Sequence, residues 1–152
     1  MRALFLWIGL NPMPEWRRDS IDIFAKLHPE FAIDDIWEKR ESKTAIAESN
    51  WRRMQYCGEA KNRFWMDSDI ELLAPLPFDE HPAFAWEGRP HFSMVWSGSR
   101  PDLFRRYSVS RLYNRRINNF FKPSGLYRHW QTGLNGEKLP RNSLGYKPED
   151  FI

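Results

Sequence analysis

The apolar and polar positions of the chain mark out a regular succession of elements. Ala3 to Ile8 is an unbroken apolar run closed by Gly9 and a proline-bearing Asn11-Pro12-Met13-Pro14 turn. That is the pattern of a strand buried on both faces. Between Arg18 and Glu30, Ile21, Phe24, Ala25 and His28 recur at helical spacing, and Pro29 supplies the stop. Phe31 to Trp37 reads as a second strand. Lys43 to Gly58 predicts a second helix, with Thr44 as cap, Ala47, Trp51, Met54 and Cys57 as its apolar stripe, and Gly58 as terminator. A third strand, Arg63 to Met66, follows. Strand, helix, strand, helix, strand implies an α/β domain with a mainly parallel central sheet and helices on its faces.

Beyond the turn Leu73-Ala74-Pro75-Leu76-Pro77, the segments Ala83 to Gly88 and His91 to Gly98 predict two more short strands. Pro101 to Phe121 predicts a basic helix that starts at Pro101 and turns Leu103, Phe104, Tyr107 and Leu112 inward. From Lys122 onward, Gly, Pro, Asn and Lys are frequent, the composition of loop or loosely packed tail. A length of 152 residues suits a single compact domain with its own core.

Composition sharpens this picture in a few places. Eight tryptophans are many for so short a chain, and they serve either a core of large side chains or a site that stacks rings on a sugar or base. The net charge of +3 suits an anionic ligand, and arginines concentrate between Arg100 and Arg128, where an anionic partner would bind. The single cysteine, Cys57, excludes an internal disulfide and fits a reducing, cytoplasmic setting. The opening run is too brief for a signal peptide and is followed by prolines rather than a small-residue cleavage site, so it reads as the first core strand. No segment approaches the ~20 apolar residues of a membrane span.

The third strand ends in an unusual way: Phe64-Trp65-Met66 runs directly into Asp67-Ser68-Asp69. In open α/β sheets, ligands bind outside the carboxyl ends of the strands. Residues i and i+2 of an extended segment point to the same side, so the two carboxylates can converge on one cation. Hard divalent ions take carboxylate oxygens and complete their shell with water and substrate phosphates. The same tripeptide would equally serve as an Asx turn or helix cap leaving the strand.

Four pieces occur in order along the chain: Trp7-Ile8-Gly9, Ser49-Asn50-Trp51-Arg52-Arg53, Trp65-Met66-Asp67-Ser68-Asp69, and Leu73-Ala74-Pro75-Leu76. Together, over roughly residues 3–105, they resemble the DxD-containing sugar-binding region of glycosyltransferases. That group includes the yeast-type initiating α-mannosyltransferases, capsule sugar transferases and the catalytic domains of large clostridial glucosylating toxins. The resemblance implies a GT-A, Rossmann-like nucleotide-diphospho-sugar transferase domain. Its nucleotide-sugar part would span about 1–105, with a basic helix and loop-rich part over about 106–152. It also implies metal-dependent transfer of a sugar from a nucleotide-diphosphate donor, with retention, using Mn²⁺ or Mg²⁺. The acceptor would be a glycan, lipid-linked sugar, protein or modified nucleic acid.

By the same resemblance, Trp7 would stack on the base or ribose, and Ser49, Asn50 and Arg53 would reach the donor sugar and diphosphate. Asp67 and Ser68 would contact the donor, Asp67 would assist the metal and Asp69 would bind it directly. His129, beside Trp130, would complete the metal's ligands. Asn50 stands where the pattern has Asp, and the Gly-Gly that usually precedes the acidic strand is absent, only Gly58 being present. Glu87, in Ala85-Trp86-Glu87-Gly88-Arg89-Pro90, is a further candidate for shaping the acceptor side, or else a solvated loop acid.

Two other classes remain open on the sequence alone. Asp67, Asp69 and Glu71, at i+2 spacing, would suit metal-dependent phosphoryl transfer or hydrolysis. Arginines interleaved with aromatics between Arg105 and Lys122 would suit a nucleic-acid-binding surface.

Overall fold

The computed structural model describes residues 1–105 and 116–141. Within them, β1 (Arg2–Ile8), α1 (Glu15–Leu27), β2 (Ala32–Glu38), α2 (Ala45–Glu59) and β3 (Arg63–Met66) follow one another as the pattern predicts. Then come β4 (Ile70–Leu72), β5 (Ala83–Trp86), β6 (Pro90–Trp96), a single 3₁₀ turn at Pro101–Phe104, β7 (Phe120–Phe121), β8 (Tyr127–Thr132) and β9 (Lys138–Pro140).

Six strands form the central sheet in the order β2-β1-β3-β6-β5-β7. The pairings β1–β2, β1–β3 and β5–β7 are parallel, whereas β3–β6 and β5–β6 are antiparallel. The sheet is therefore mainly parallel, in a Rossmann-like α/β domain. Because β2 and β3 flank β1 on opposite sides, the chain reverses its winding at β1. A crevice opens outside the strand ends at such a point.

The apolar runs are explained by burial on both faces. Ala3 and Phe5 of β1, Phe64 and Met66 of β3, and Met94 and Trp96 of β6 join Ile21 and Phe24 of α1 in one core cluster. The alternate residues Leu4, Trp65 and Val95 join Met54, Tyr56 and Cys57 of α2, with Leu103, Phe104 and Ile117, in the other. Truncating a wholly buried ring such as Phe64 or Phe24 costs about 3–5 kcal/mol.

Several local expectations are corrected. In α2, Trp51 and Ala47 face solvent, and the buried set is Arg53, Met54, Tyr56, Cys57 and Gly58. Only the second half of the helix lies on the sheet; the first half stands beside the crevice. Thr44 makes no side-chain cap, its own N–H donating instead to Ser42 Oγ at 3.2 Å. Gly58 does not end the helix. It lets the chain pass the 3₁₀ turn closely, since a Cβ there would lie 3.3 Å from the Phe104 carbonyl. His28 is buried as expected, accepting the Leu76 N–H at Nε2 over 2.9 Å.

The stretch after Lys122 is not simply loop. β8 pairs antiparallel with β4 and with β9, giving a second sheet, β4-β8-β9, that packs Ile70, Leu72 and Tyr127 into the α1-side core. Turn residues dominate the composition there because the strands are short. Of the expected basic helix, Pro101–Phe104 is a 3₁₀ turn; Tyr107 and Leu112 lie outside the described residues. Among the described residues, no helix is long and apolar enough to cross a membrane.

Candidate functional site

The crevice outside the carboxyl ends of β1 and β3 is a cavity of about 830 Å³. Trp7, Ser49, Asn50, Arg53, Asp67 and Ser68 all line it. β1 delivers Trp7 at its end, the exposed half of α2 delivers Ser49 and Asn50, and the turn after β3 delivers Asp67 and Ser68. Arg17, Arg89, His91 and Arg141 share the lining, so four guanidinium groups surround the space. Such a lining favours a multiply charged anion.

Arg53 is nearly buried, and its environment fixes its position. Its Nε donates to the Ser49 carbonyl at 3.2 Å, its Nη1 donates to the Phe92 carbonyl, and its Nη2 lies 3.5 Å from Asp67 Oδ1. The guanidinium carbon stands 5.0 Å from the centre of the Trp65 ring. Asp67 Oδ1 also accepts from Trp65 Nε1 at 2.8 Å, and the Asp67 N–H donates to the Ser93 carbonyl at 2.8 Å. Asp67 is thus pinned by β6, by its own strand and by α2.

Arg17, which the sequence did not single out, joins α1 to the rest of the site. Its Nε donates to Ser68 Oγ at 2.8 Å, its Nη1 donates to Thr132 Oγ1 at 3.0 Å, and its guanidinium lies 4.9 Å from the Trp7 ring centre. The Ser68 hydroxyl is therefore already held by the protein. Trp7 Nε1 donates to the Asn11 carbonyl at 2.8 Å, and Trp7 also borders a smaller cavity of about 340 Å³ with Arg18 and Trp37.

Asp69 does not converge with Asp67 as the period of a strand would require. β3 ends at Met66, and the Ile70 N–H donates to the Asp67 carbonyl at 3.1 Å, closing a turn in which the i, i+2 rule does not hold. Asp67 turns to Arg53 and Trp65, while Asp69 turns to His129, with Oδ1 3.1 Å from Nε2. Pairing of β4 with β8 brings this about, placing Ile70 opposite His129 and letting the Trp130 N–H donate to the Asp69 carbonyl at 2.9 Å. Glu71, the third acid of the series, is ion-paired to Lys138 Nζ at 2.9 Å.

Behind the cleft lies a chain of charge. His129 Nδ1 is hydrogen-bonded to Glu87 Oε1, and Glu87 Oε2 lies 3.1 Å from His91 Nδ1. Glu87 is therefore no solvated loop acid: its side chain is buried in the β5–β6 hairpin. Burial alone would lower the His129 pKa, yet the Asp69 and Glu87 carboxylates outweigh it and hold it at about 9. Burial works to raise both carboxyls, and the bond and charge of His129 override it, leaving both below their ordinary values. His91 is pushed down, first by burial, against the pull of Glu87. Arg141 Nη1 lies 2.8 Å from His129 Nε2. Its charge, with that of His129, favours the ionised forms of Asp69 and Glu87. Two negative charges are balanced by the His129 proton and Arg141.

His91, Arg17, Arg89 and Arg141 escaped the sequence reading, and Glu87 was marked only for the acceptor side, not for its buried contact with two histidines. The signal for Glu87 and His91 was an acid and a histidine flanking Gly88-Arg89-Pro90, with Gly88 at φ +72° turning the hairpin. Arg17 and Arg141 carry no local signal, because only tertiary packing brings them to the cleft.

No protein-family model matches the chain, and no curated protein does. Among solved structures, it is similar to a glycosyltransferase involved in the glycosylation of the major capsid of PBCV-1. The alignment covers 84% of this chain and 92% of that one, at 11% identity and a TM-score of 0.45. A likeness that slight leaves function to be argued from the site.

Proposed function

We propose that the protein is a metal-dependent glycosyltransferase of the GT-A type, moving a sugar with retention from a nucleotide-diphosphate donor to an acceptor. One observation carries this reading: Trp7, Ser49, Asn50, Arg53, Asp67 and Ser68 meet on one arginine-lined cleft, with Asp69 against His129 behind it. Trp7 would stack on the base, Ser49 and Asn50 would reach the sugar, and Asp67 the ribose or sugar. Arg53 and Arg17 would face the diphosphate, where negative charge grows as the anomeric bond breaks.

The residues fit a divalent ion. Asp69 Oδ1 and His129 Nε2 stand 3.1 Å apart as candidate ligands, and Asp67 would join them by turning from Arg53 and Trp65. The two positive charges that now balance Asp69 and Glu87 equal the charge of Mn²⁺ or Mg²⁺. Bound there, the ion would supply Lewis-acid stabilisation of the leaving diphosphate. Glu71 is engaged by Lys138, which weakens the three-carboxylate reading of a phosphoryl-transfer enzyme.

The test is a thermal-shift screen of UDP-, GDP-, CDP- and TDP-sugars with and without Mn²⁺, followed by turnover assays. One donor class should stabilise the protein in the presence of metal. Asp69→Ala should abolish metal-dependent turnover while the circular dichroism spectrum stays unchanged. Stabilisation by no donor would overturn the transferase reading, and full activity of Asp69→Ala would overturn the role of that residue.

A further inference from the structure

Glu87, His91 and His129 each offer a ligand atom, and these atoms lie within 4.8 Å of one another. Ligands on one ion at about 2.1 Å stand at most about 4.2 Å apart, so the three need close only slightly to share it. The cluster has an electrostatic gap at its centre. Glu87 Oε2 is buried and makes no hydrogen bond among the described residues. The His91 ring lies beside it, with Nδ1 at 3.1 Å accepting the Ser93 N–H and Nε2 left as the ring's other donor atom. A buried carboxylate oxygen without a hydrogen bond beside two imidazoles is an arrangement that a cation resolves.

We propose that Glu87, His91 and His129 form a transition-metal centre of two nitrogens and one carboxylate, distinct from the Asp67–Asp69 pair. His129 serves it through Nδ1, the nitrogen turned to Glu87, while Nε2 stays against Asp69. Metal-binding histidines commonly donate their second ring N–H to a carboxylate, which fixes ring and tautomer. In this centre Asp69 is therefore a positioning residue for His129. His91 lines the cleft, providing an entry path and leaving a coordination position open toward it. Imidazole donors suit zinc, cobalt and related ions, whereas magnesium requires oxygen ligands and retains its waters. The centre stands whether or not the transferase reading does.

The experiment is titration of chelator-treated, dialysed full-length protein with Co²⁺ and Zn²⁺ by calorimetry and visible absorption, with Mg²⁺ as comparison and no nucleotide present. Wild-type protein should bind one equivalent of Co²⁺ with a new visible band, and Zn²⁺ should displace it while Mg²⁺ should not. His91→Ala and Glu87→Gln should each weaken Co²⁺ binding at least tenfold, and Asp69→Asn should weaken it without changing the band. His91 is partly exposed, so its variant preserves the fold, which melting curves check. His81→Ala, removing an exposed histidine beside Glu80, should leave binding unchanged. No saturable Co²⁺ binding overturns the proposal. So does binding that survives His91→Ala and Glu87→Gln, or that depends on His81.

Discussion

Gly98 shows how closely single residues are specified here. It lies at φ +52°, a conformation that disfavours side chains, and a Cβ would stand 2.5 Å from the Glu80 carbonyl oxygen. That carbonyl is fixed because it accepts the Ser99 N–H at 2.8 Å and Ser99 Oγ at 2.9 Å. Gly98→Ala should therefore cost about 2–3 kcal/mol in urea denaturation, combining backbone strain with overpacking. The sequence marks this glycine as the end of a strand but not the backbone that passes beside it. The acids show the same limit. Asp67 and Asp69 were legible as a pair where an apolar strand stops, yet their separate directions depend on a turn that no two-residue period describes. Cys57 was legible as unpaired; burial raises its thiol pKa above the ordinary value, so it acts as an inert core side chain.

Among the elements, β1, α1, β2, α2 and β3 could be read because runs buried on both faces and one-sided helices leave strong patterns. The β4-β8-β9 sheet could not, because its strands are three to six residues long and set among turn formers. β2, at the sheet edge, is held to its neighbours by polar contacts. Asp34 Oδ2 accepts from Arg2 Nε on β1 and from Tyr56 Oη on α2, each at 3.0 Å. The Arg2 hydrogen bonds, against some desolvation and with help from Tyr56, lower the Asp34 pKa. A group depressed on folding contributes stability above its unfolded pKa, near ~3.9, and loses it as pH falls through the lower folded value. Urea melts below about pH 4 should thus show an acid-side loss that Asp34→Asn reduces. An identical acid limb in the variant would exclude Asp34 as its source.

At the scale of the whole molecule, the mainly parallel sheet of an α/β fold followed from the order of elements. Of the cleft's arginine lining only Arg53 followed, since Arg17, Arg89 and Arg141 come from distant parts of the chain. Together with the net charge of +3, the four arginines would make affinity for a nucleoside diphosphate, the proposed ligand, sensitive to ionic strength. Raising NaCl from about 0.05 to 0.5 M, which shortens the screening length to a few ångströms, should weaken metal-free UDP or GDP binding several-fold in calorimetry. Salt-independent affinity would mean that the base, not the diphosphate, is what the cleft holds. The pairing of β4 with β8 has one more consequence, for how the protein comes to life. Asp67 and Arg53 arise within one continuous strand–helix–strand unit, whereas His129 reaches Asp69 only after a long loop has closed. The β1–α2–β3 side of the cleft can therefore take shape before its charge network is complete. Opening the small sheet alone would silence the site and leave the large sheet standing.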